Sequence, residues 1–227
     1  MRFHLFIDAD DTLWENNIYF ERAFAGFAGF LRHSTLSAEQ VRAVLDRIEG
    51  VNNRIHGYGA RNFARNLREC FEQLAERPVG PEDIEYIDAI GRSLADHAIE
   101  LIDGVEKTLI DLGARHELTL FTKGDPAEQR AKIGRSGIGG HFHHREIVRE
   151  KNRAAYQAMI AARRLEPARC WMIGNSPKSD INPALEAGMS AVFIPHPNTW
   201  RLEKEEIRDG GGRLLVLERF SDLAVYF

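Results

Sequence analysis

Apolar positions along this chain fall into two textures. In residues 1–14 and roughly 100–227, short apolar runs alternate with stretches of helical period. The runs at 3–7, 118–121, 145–148, 170–173, 191–194 and 214–217 predict strands, most of them ending in polar, Gly or Pro residues. Helical periods lie between them at about 105–113, 126–136, 152–163, 179–188 and 219–225. Strands alternating with helices predict an α/β fold, a doubly wound, Rossmann-like parallel sheet covered on both faces. Ligands of such sheets sit beyond the carboxyl ends of the strands, where the strand order switches.

Residues 15–99 read as helix throughout, at about 17–32, 37–55, 60–76 and 81–98. The breaks are His33-Ser34, Gly57-Tyr58-Gly59 and Pro78-Val79-Gly80. Ser37 with Gln40 has the spacing of a capping box. Pro81-Glu82-Asp83 places proline in the first turn and acids at the positive end of the dipole. An all-helical cap, residues 15–99, is therefore expected to interrupt an α/β core formed by 1–14 and 100–227. The first strand is expected mid-sheet, with the insert over its carboxyl end.

Composition narrows the class. The chain has 227 residues, with 30 basic against 34 acidic side chains and a net charge of −4. That balance offers no electrostatic footprint for nucleic acid or for a membrane surface. No run approaches the ~20 apolar residues of a membrane-spanning helix, and the apolar run before Asp8 is too short for a signal peptide. Cys70 and Cys170 lie far apart, which argues against a disulfide framework or a zinc finger and points to the cytoplasm. No sequence signal sets an oligomeric state.

The chemistry concentrates at strand ends. The stretch LFIDADDTL, residues 5–13, runs an apolar strand into Asp8, Asp10 and Asp11. Crowded carboxylates repel unless something positive joins them. An oxygen-loving divalent cation such as Mg2+ would compensate, and a solvated acidic loop or a helix N-cap is the alternative. The run LTLFTKG, 118–124, ends in Thr122 and Lys123, a hydroxyl and a neighbouring N–H suited to a phosphoryl oxygen. The run CWMIGNSPKSD, 170–180, ends in Gly174 and Asn175, with Asp180 five residues on. Lys151 follows the apolar Ile147-Val148 and precedes a helix.

Taken in order, Asp-x-Asp-x-Thr, apolar-run-Thr, Lys and Gly-Asn-Ser-x-x-x-Asp, with helices inserted after the first motif, resemble the haloacid dehalogenase-like (HAD) hydrolase superfamily. The resemblance covers essentially the whole chain, and residues 101–105 (LIDGV) resemble the return from cap to core. It implies Asp8 as a nucleophile forming an aspartyl-phosphate, and Asp10 as general acid and then base. Thr122 and the Lys123 backbone N–H would hold phosphoryl oxygens, and Lys151 would orient Asp8 and offset charge. Asp8, the Asp10 carbonyl, Asn175 and Asp180 would hold Mg2+. Trp14, Glu15 and Asn16 follow the first motif directly, and Trp14 is expected to line the substrate cleft. A small phosphorylated metabolite is the implied partner, selected by a cap that closes over the site.

This chain departs from the family pattern at Asn175, where Asp is usual. A carbonyl oxygen remains, but one negative charge is gone, which implies weaker Mg2+ binding or a redistribution onto Asp180, with the site retained. Asn152 stands where proline is frequent, and Lys123 where a small or amide residue is. Asp10 decides between reaction classes: halide leaves without a proton, whereas an alkoxide needs one. Phosphate monoester hydrolysis is therefore favoured over a 2-haloacid dehalogenase using Asp8, and over a catalytically silent binding protein of the same fold. His141, His143 and His144 lack partner ligands and read as a loop feeding a strand. Cys70, Cys170 and the stripe Tyr19, Phe20, Phe24, Phe27 and Phe30 read as core. The segment 196–200 reads as a turn, and 201–206 as a solvated helical face.

Overall fold

The computed structural model describes residues 2–227. Six strands, β1 (His4–Ile7), β2 (Glu117–Lys123), β3 (His144–Val148), β4 (Cys170–Gly174), β5 (Ser190–Phe193) and β6 (Leu214–Val216), form one sheet in the order β3-β2-β1-β4-β5-β6. Every pairing is parallel. Ile7 lies opposite Leu120 on one side and Ile173 on the other, so β1 is central. The chain winds outward through β2 and β3, then crosses β1 to β4 and winds the other way.

Alternation along the strands covers both faces. Leu5, Ile7, Leu118, Leu120, Ile173 and Val192 pack with Val105, Leu109 and Leu112 of α5 (Val105–Arg115). Phe6, Phe121 and Met172 pack on the other face with Tyr156, Met159 and Ile160 of α7 (Arg153–Ala162). A strand buried on both faces needs apolar residues at nearly every position, which is why these runs read continuously. No helix among the described residues is long and apolar enough to cross a membrane.

The chain divides into two compact units. One holds the chain up to Asn17 together with Ile99–Phe227; the other is Ile18–Ala98. The second takes in all but the first residue of α1 (Asn17–Leu31), and α2 (Ala38–His56), α3 (Ala60–Leu74) and α4 (Pro81–Ala95). Its core gathers Phe24, Phe27, Val41, Leu45, Leu67, Phe71 and Ile87, with Tyr19, Phe20 and Phe30 packed at its margin. The Ser37–Gln40 capping box is present at the start of α2. In the first unit, the outgoing and returning segments pair with each other. Trp14 bridges Leu101 in antiparallel sense, the Glu15 N–H donates to the Glu100 carbonyl at 2.9 Å, and Ile102 N–H to the Leu13 carbonyl at 3.0 Å.

Two helix expectations change. The 179–188 stretch begins earlier, with a π-helical turn at Pro177–Ile181, then α8 (Asn182–Glu186). Pro183 has no N–H to give a carbonyl four residues back, so the regular helix restarts around it. The 219–225 stretch is a 3-10 turn, Phe220–Asp222, followed by the short α9 (Leu223–Tyr226). Here Asp222 accepts from the Arg219 N–H at 3.1 Å and closes the first turn.

Candidate active site

The site is built at the carboxyl ends of β1, β2 and β4, three neighbouring strands flanking the switch in strand order. Asp8 follows β1 and its N–H still donates to the Ile173 carbonyl at 2.9 Å. The chain then turns tightly: Leu13 N–H donates to the Ala9 carbonyl at 2.8 Å, and Asp11 adopts a left-handed φ of 59°. The Asp11 carboxylate braces this turn by accepting the N–H groups of Asn16 and Asn17 at 2.9 and 3.0 Å. Burial nevertheless pushes its pKa up to about 7.

Lys151, 4% exposed, lies between two acids. Its ammonium donates to Asp8 Oδ1 and, at 2.7 Å, to Asp180 Oδ1. Burial works against this charge, but Asp180 and Asp8 together raise the ammonium pKa above its ordinary value. Asp180 also accepts the Ser176 N–H at 3.0 Å. Its approach to the strand end requires glycine: a Cβ at Gly174 would lie 2.2 Å from Asp180 Oδ2. Asp8 carries the strain of this arrangement. Burial first, then the Asp180 charge, push its pKa up to about 7 against the pull of Lys151.

The Thr12 hydroxyl sits 3.3 Å from Asp8 Oδ2 and 3.2 Å from Asn175 Oδ1. Its single proton is shared between a carboxylate and an amide carbonyl. The Asn175 amide donates to Thr199 Oγ1 at 3.0 Å. The turn at 196–200 therefore borders the site through Thr199, whose own N–H closes on the His196 carbonyl at 3.1 Å.

Asp10 anchors a second network. It accepts from the Trp14 indole at 2.8 Å, the Gln129 amide at 3.2 Å and the Lys132 ammonium at 3.0 and 3.1 Å. Burial opposes the Asp10 charge, but Lys132 with the Trp14 and Gln129 donors outweighs it and holds the carboxyl below the usual carboxylate range. Gln129 also donates to Thr122 Oγ1 at 2.7 Å, linking the hydroxyl at the end of β2 to Asp10.

One expectation is corrected. Trp14 does not face a cleft: it is fully buried in the core of the α/β unit, with its N–H on Asp10. The Lys123 ammonium is taken up by neighbouring side chains. It is held by the buried Glu203 at 2.6 Å and Ser179 Oγ at 2.8 Å. Burial disfavours the Glu203 charge, yet Lys123 and the serine hydroxyls hold its pKa below the usual range. Glu203 thus lies inside the stretch read as a solvated face, because it neutralises a lysine at the end of β2. The histidines make local contacts: His143 Nδ1 accepts the Leu118 N–H at 3.1 Å, and His141 and His144 lie near Glu106 and Glu117.

The donor set around Lys151 suits a hard cation. Asp8 and Asp180 offer carboxylate oxygens and Asn175 a side-chain carbonyl oxygen, the donor type such a cation takes. Two carboxylates against one ammonium leave one buried negative charge. A second group, Asp11, Glu15 and His196, brings ligand-type atoms within 4.8 Å of one another. In it His196 Nε2 contacts Glu15 Oε1 at 3.2 Å, its Nδ1 accepts the Asn198 N–H at 3.3 Å and Asp11 accepts two backbone N–H groups, while Glu15 Oε2 is buried with no hydrogen-bond partner among the described residues.

A curated relative, glyceraldehyde 3-phosphate phosphatase from Methanothermobacter thermautotrophicus, is 24% identical over 96% of this chain and 96% of its own. A haloacid dehalogenase-like family hydrolase from Xanthomonas campestris superposes with a TM-score of 0.84 at 27% identity, covering 99% of this chain and 94% of that one. The 2-haloacid dehalogenase of Pseudomonas syringae pv. Tomato DC3000 shares the fold, with a TM-score of 0.64 at 18% identity over 100% of this chain and 99% of its own. The family model for haloacid dehalogenase-like hydrolases matches residues 4–188, strand ends and helical insert included, and the chain belongs to that family.

Proposed function

We propose that the protein hydrolyses a small phosphate monoester, with Mg2+, through an aspartyl-phosphate on Asp8. The observation that carries this reading is Asp10, a second carboxylate two residues from Asp8, clamped by Lys132, Trp14 and Gln129. A halide leaving group has no use for such an acid. The curated relative's phosphatase activity supports the same substrate class.

Asp8, Asp180, Asn175 and the Asp10 carbonyl would hold Mg2+, which when bound supplies positive charge between the acids and a phosphate. Asp8 attacks phosphorus, and Lys151 keeps its carboxylate aimed and offsets its charge. The Thr122 hydroxyl and the Lys123 backbone N–H take the phosphoryl oxygens. Asp10 gives a proton to the departing alkoxide and later takes one from the water that opens the acyl phosphate. Its lowered pKa in the free site leaves the carboxyl ionised, as the second task requires. For the first, an arriving phosphate dianion adds negative charge beside Asp10 and raises its proton affinity.

Release of phosphate from p-nitrophenyl phosphate and from a panel of phosphorylated metabolites, phosphorylated trioses included, tests the reading. Chloride release from chloroacetate, with no phosphatase activity in Mg2+, Mn2+ or Co2+, would replace it with dehalogenation. Absence of both activities would favour a binding protein of this fold.

Two variants sharpen the test. Asp10→Asn is expected to slow hydrolysis of an alkyl phosphate by about 10²–10⁴ and of p-nitrophenyl phosphate much less, since nitrophenolate leaves without a proton. Equal slowing would remove leaving-group protonation from Asp10. Asn175→Asp keeps an acceptor for Thr12 and adds a charge to the oxygen set. It is expected to tighten Mg2+ binding by about tenfold, read by calorimetry; an unchanged dissociation constant would place residue 175 outside the metal shell.

A further inference from the structure

Helix α6 (Pro126–Arg135) starts at a fixed point. The Asp125 carboxylate accepts the N–H groups of Ala127 and Glu128, both at 2.9 Å, and Pro126 opens the first turn. With the start pinned, Gln129 and Lys132 fall three residues apart on one helix face. Both are buried, at 2% and 3% exposure. Burying a lysine costs desolvation and rotamer freedom, so its partners must compensate.

The shared partner is one carboxyl group. Lys132 reaches both oxygens of Asp10, and also Asn16 Oδ1 at 2.8 Å, with Glu128 Oε1 at 3.9 Å. Gln129 has two N–H groups for three acceptors: Asp10 Oδ2, Thr122 Oγ1 and, at 3.2 Å, the Lys123 carbonyl. The loop before the helix makes room for it. Gly124 has a φ of 144°, and a Cβ there would sit 3.1 Å from Gln129 Cγ.

We propose that Lys132 and Gln129 are positioning residues of this site. Lys132, with the Trp14 indole, fixes the plane of the Asp10 carboxyl. Gln129 ties that carboxyl to the Thr122 hydroxyl, so that the proton-transferring group and the phosphoryl-binding hydroxyl keep one relative placement. The proposal rests on the assignment of Asp10 as acid and base, and its test separates the two.

The Trp14 indole N–H, bonded to Asp10, is a probe that needs no turnover. In 15N-labelled protein, Lys132→Met is expected to move the Trp14 indole resonance more than those of Trp171 and Trp200, and Lys132→Arg to return it towards the parent position. Kinetically, Lys132→Met is expected to lower kcat on an alkyl phosphate at least about tenfold more than on p-nitrophenyl phosphate, with KM changed less than about twofold. Lys132→Arg should recover most of the difference. Gln129→Met, the second variant should Lys132→Met not fold, is expected to show the same split. An unmoved Trp14 resonance, or equal loss on both esters without rescue by arginine, would overturn the proposal. A parent protein that hydrolyses neither ester would sink the phosphatase reading, and the Trp14 resonance would still decide whether Lys132 holds Asp10.

Discussion

Asp8→Asn is expected to abolish turnover while raising the melting temperature of the metal-free protein above pH 7. The first effect follows from removing the nucleophile. The second follows from burial and then from the charge of Asp180, which together push Asp8 from 3.8 up to about 7 against the pull of Lys151. A carboxyl whose folded pKa is raised favours the fold when protonated and loses that contribution as pH climbs through the folded value. The cost of ionised Asp8 therefore grows between about pH 4 and 7 and is complete above 7. A displacement of that size sets a ceiling of about 4 kcal/mol on the gain, a few degrees or more for a chain of this length. Thermal melts in EDTA at pH 5 and pH 8 check it: the gain should be large at pH 8 and shrink at pH 5. A variant less stable than the parent at pH 8, or one still active, would contradict the assignment.

Lys151→Met is expected to do the opposite. It leaves Asp8 and Asp180 facing each other in a buried site, and removing one member of a buried ion group typically costs about 3–5 kcal/mol. That corresponds to a fall in melting temperature of about 10 °C, together with loss of turnover. The loss should ease on acidification as the carboxyls take up protons, and on addition of Mg2+. Combining Lys151→Met with Asp8→Asn should restore part of the stability, because the surviving Asp180 no longer faces a second charge. Urea or thermal unfolding of the single and double variants supplies the cycle. A gain from Asp8→Asn no larger in the Lys151→Met background than in the parent would show that Asp8 and Lys151 act independently.

Much of this site was legible because its residues sit where strands stop. A doubly covered parallel sheet writes its strands as unbroken apolar runs, so Asp8, Thr122 and Asn175 stand out as the polar residues that end them, and Asp180 follows in the turn after β4. Lys132 and Gln129 had no such marker. They belong to a short helix with polar residues on several faces, where a buried lysine and a solvated one look alike; their spacing puts both on one side, but nothing in the sequence says that this side meets Asp10. Glu203 was hidden for a related reason. It lies in a charged run, and its partner Lys123 is remote in sequence. Trp14 was misjudged because adjacency to the acidic loop says nothing about which way the indole turns. The bridge between Trp14 and Leu101 sends it inward.

That same bridge has a consequence for how such proteins diversify. The strand leaving for the helices and the strand coming back are laced together before Ile18 and after Ala98, so the catalytic half closes its own perimeter. Chain hung between two fastened points is inexpensive to lengthen, at roughly 0.6 kcal/mol per doubling of its length. An ancestral gene could therefore exchange, enlarge or shed whatever hangs there while the chemistry stays intact, which makes this short ribbon a natural splice point for domain grafting in the laboratory as well.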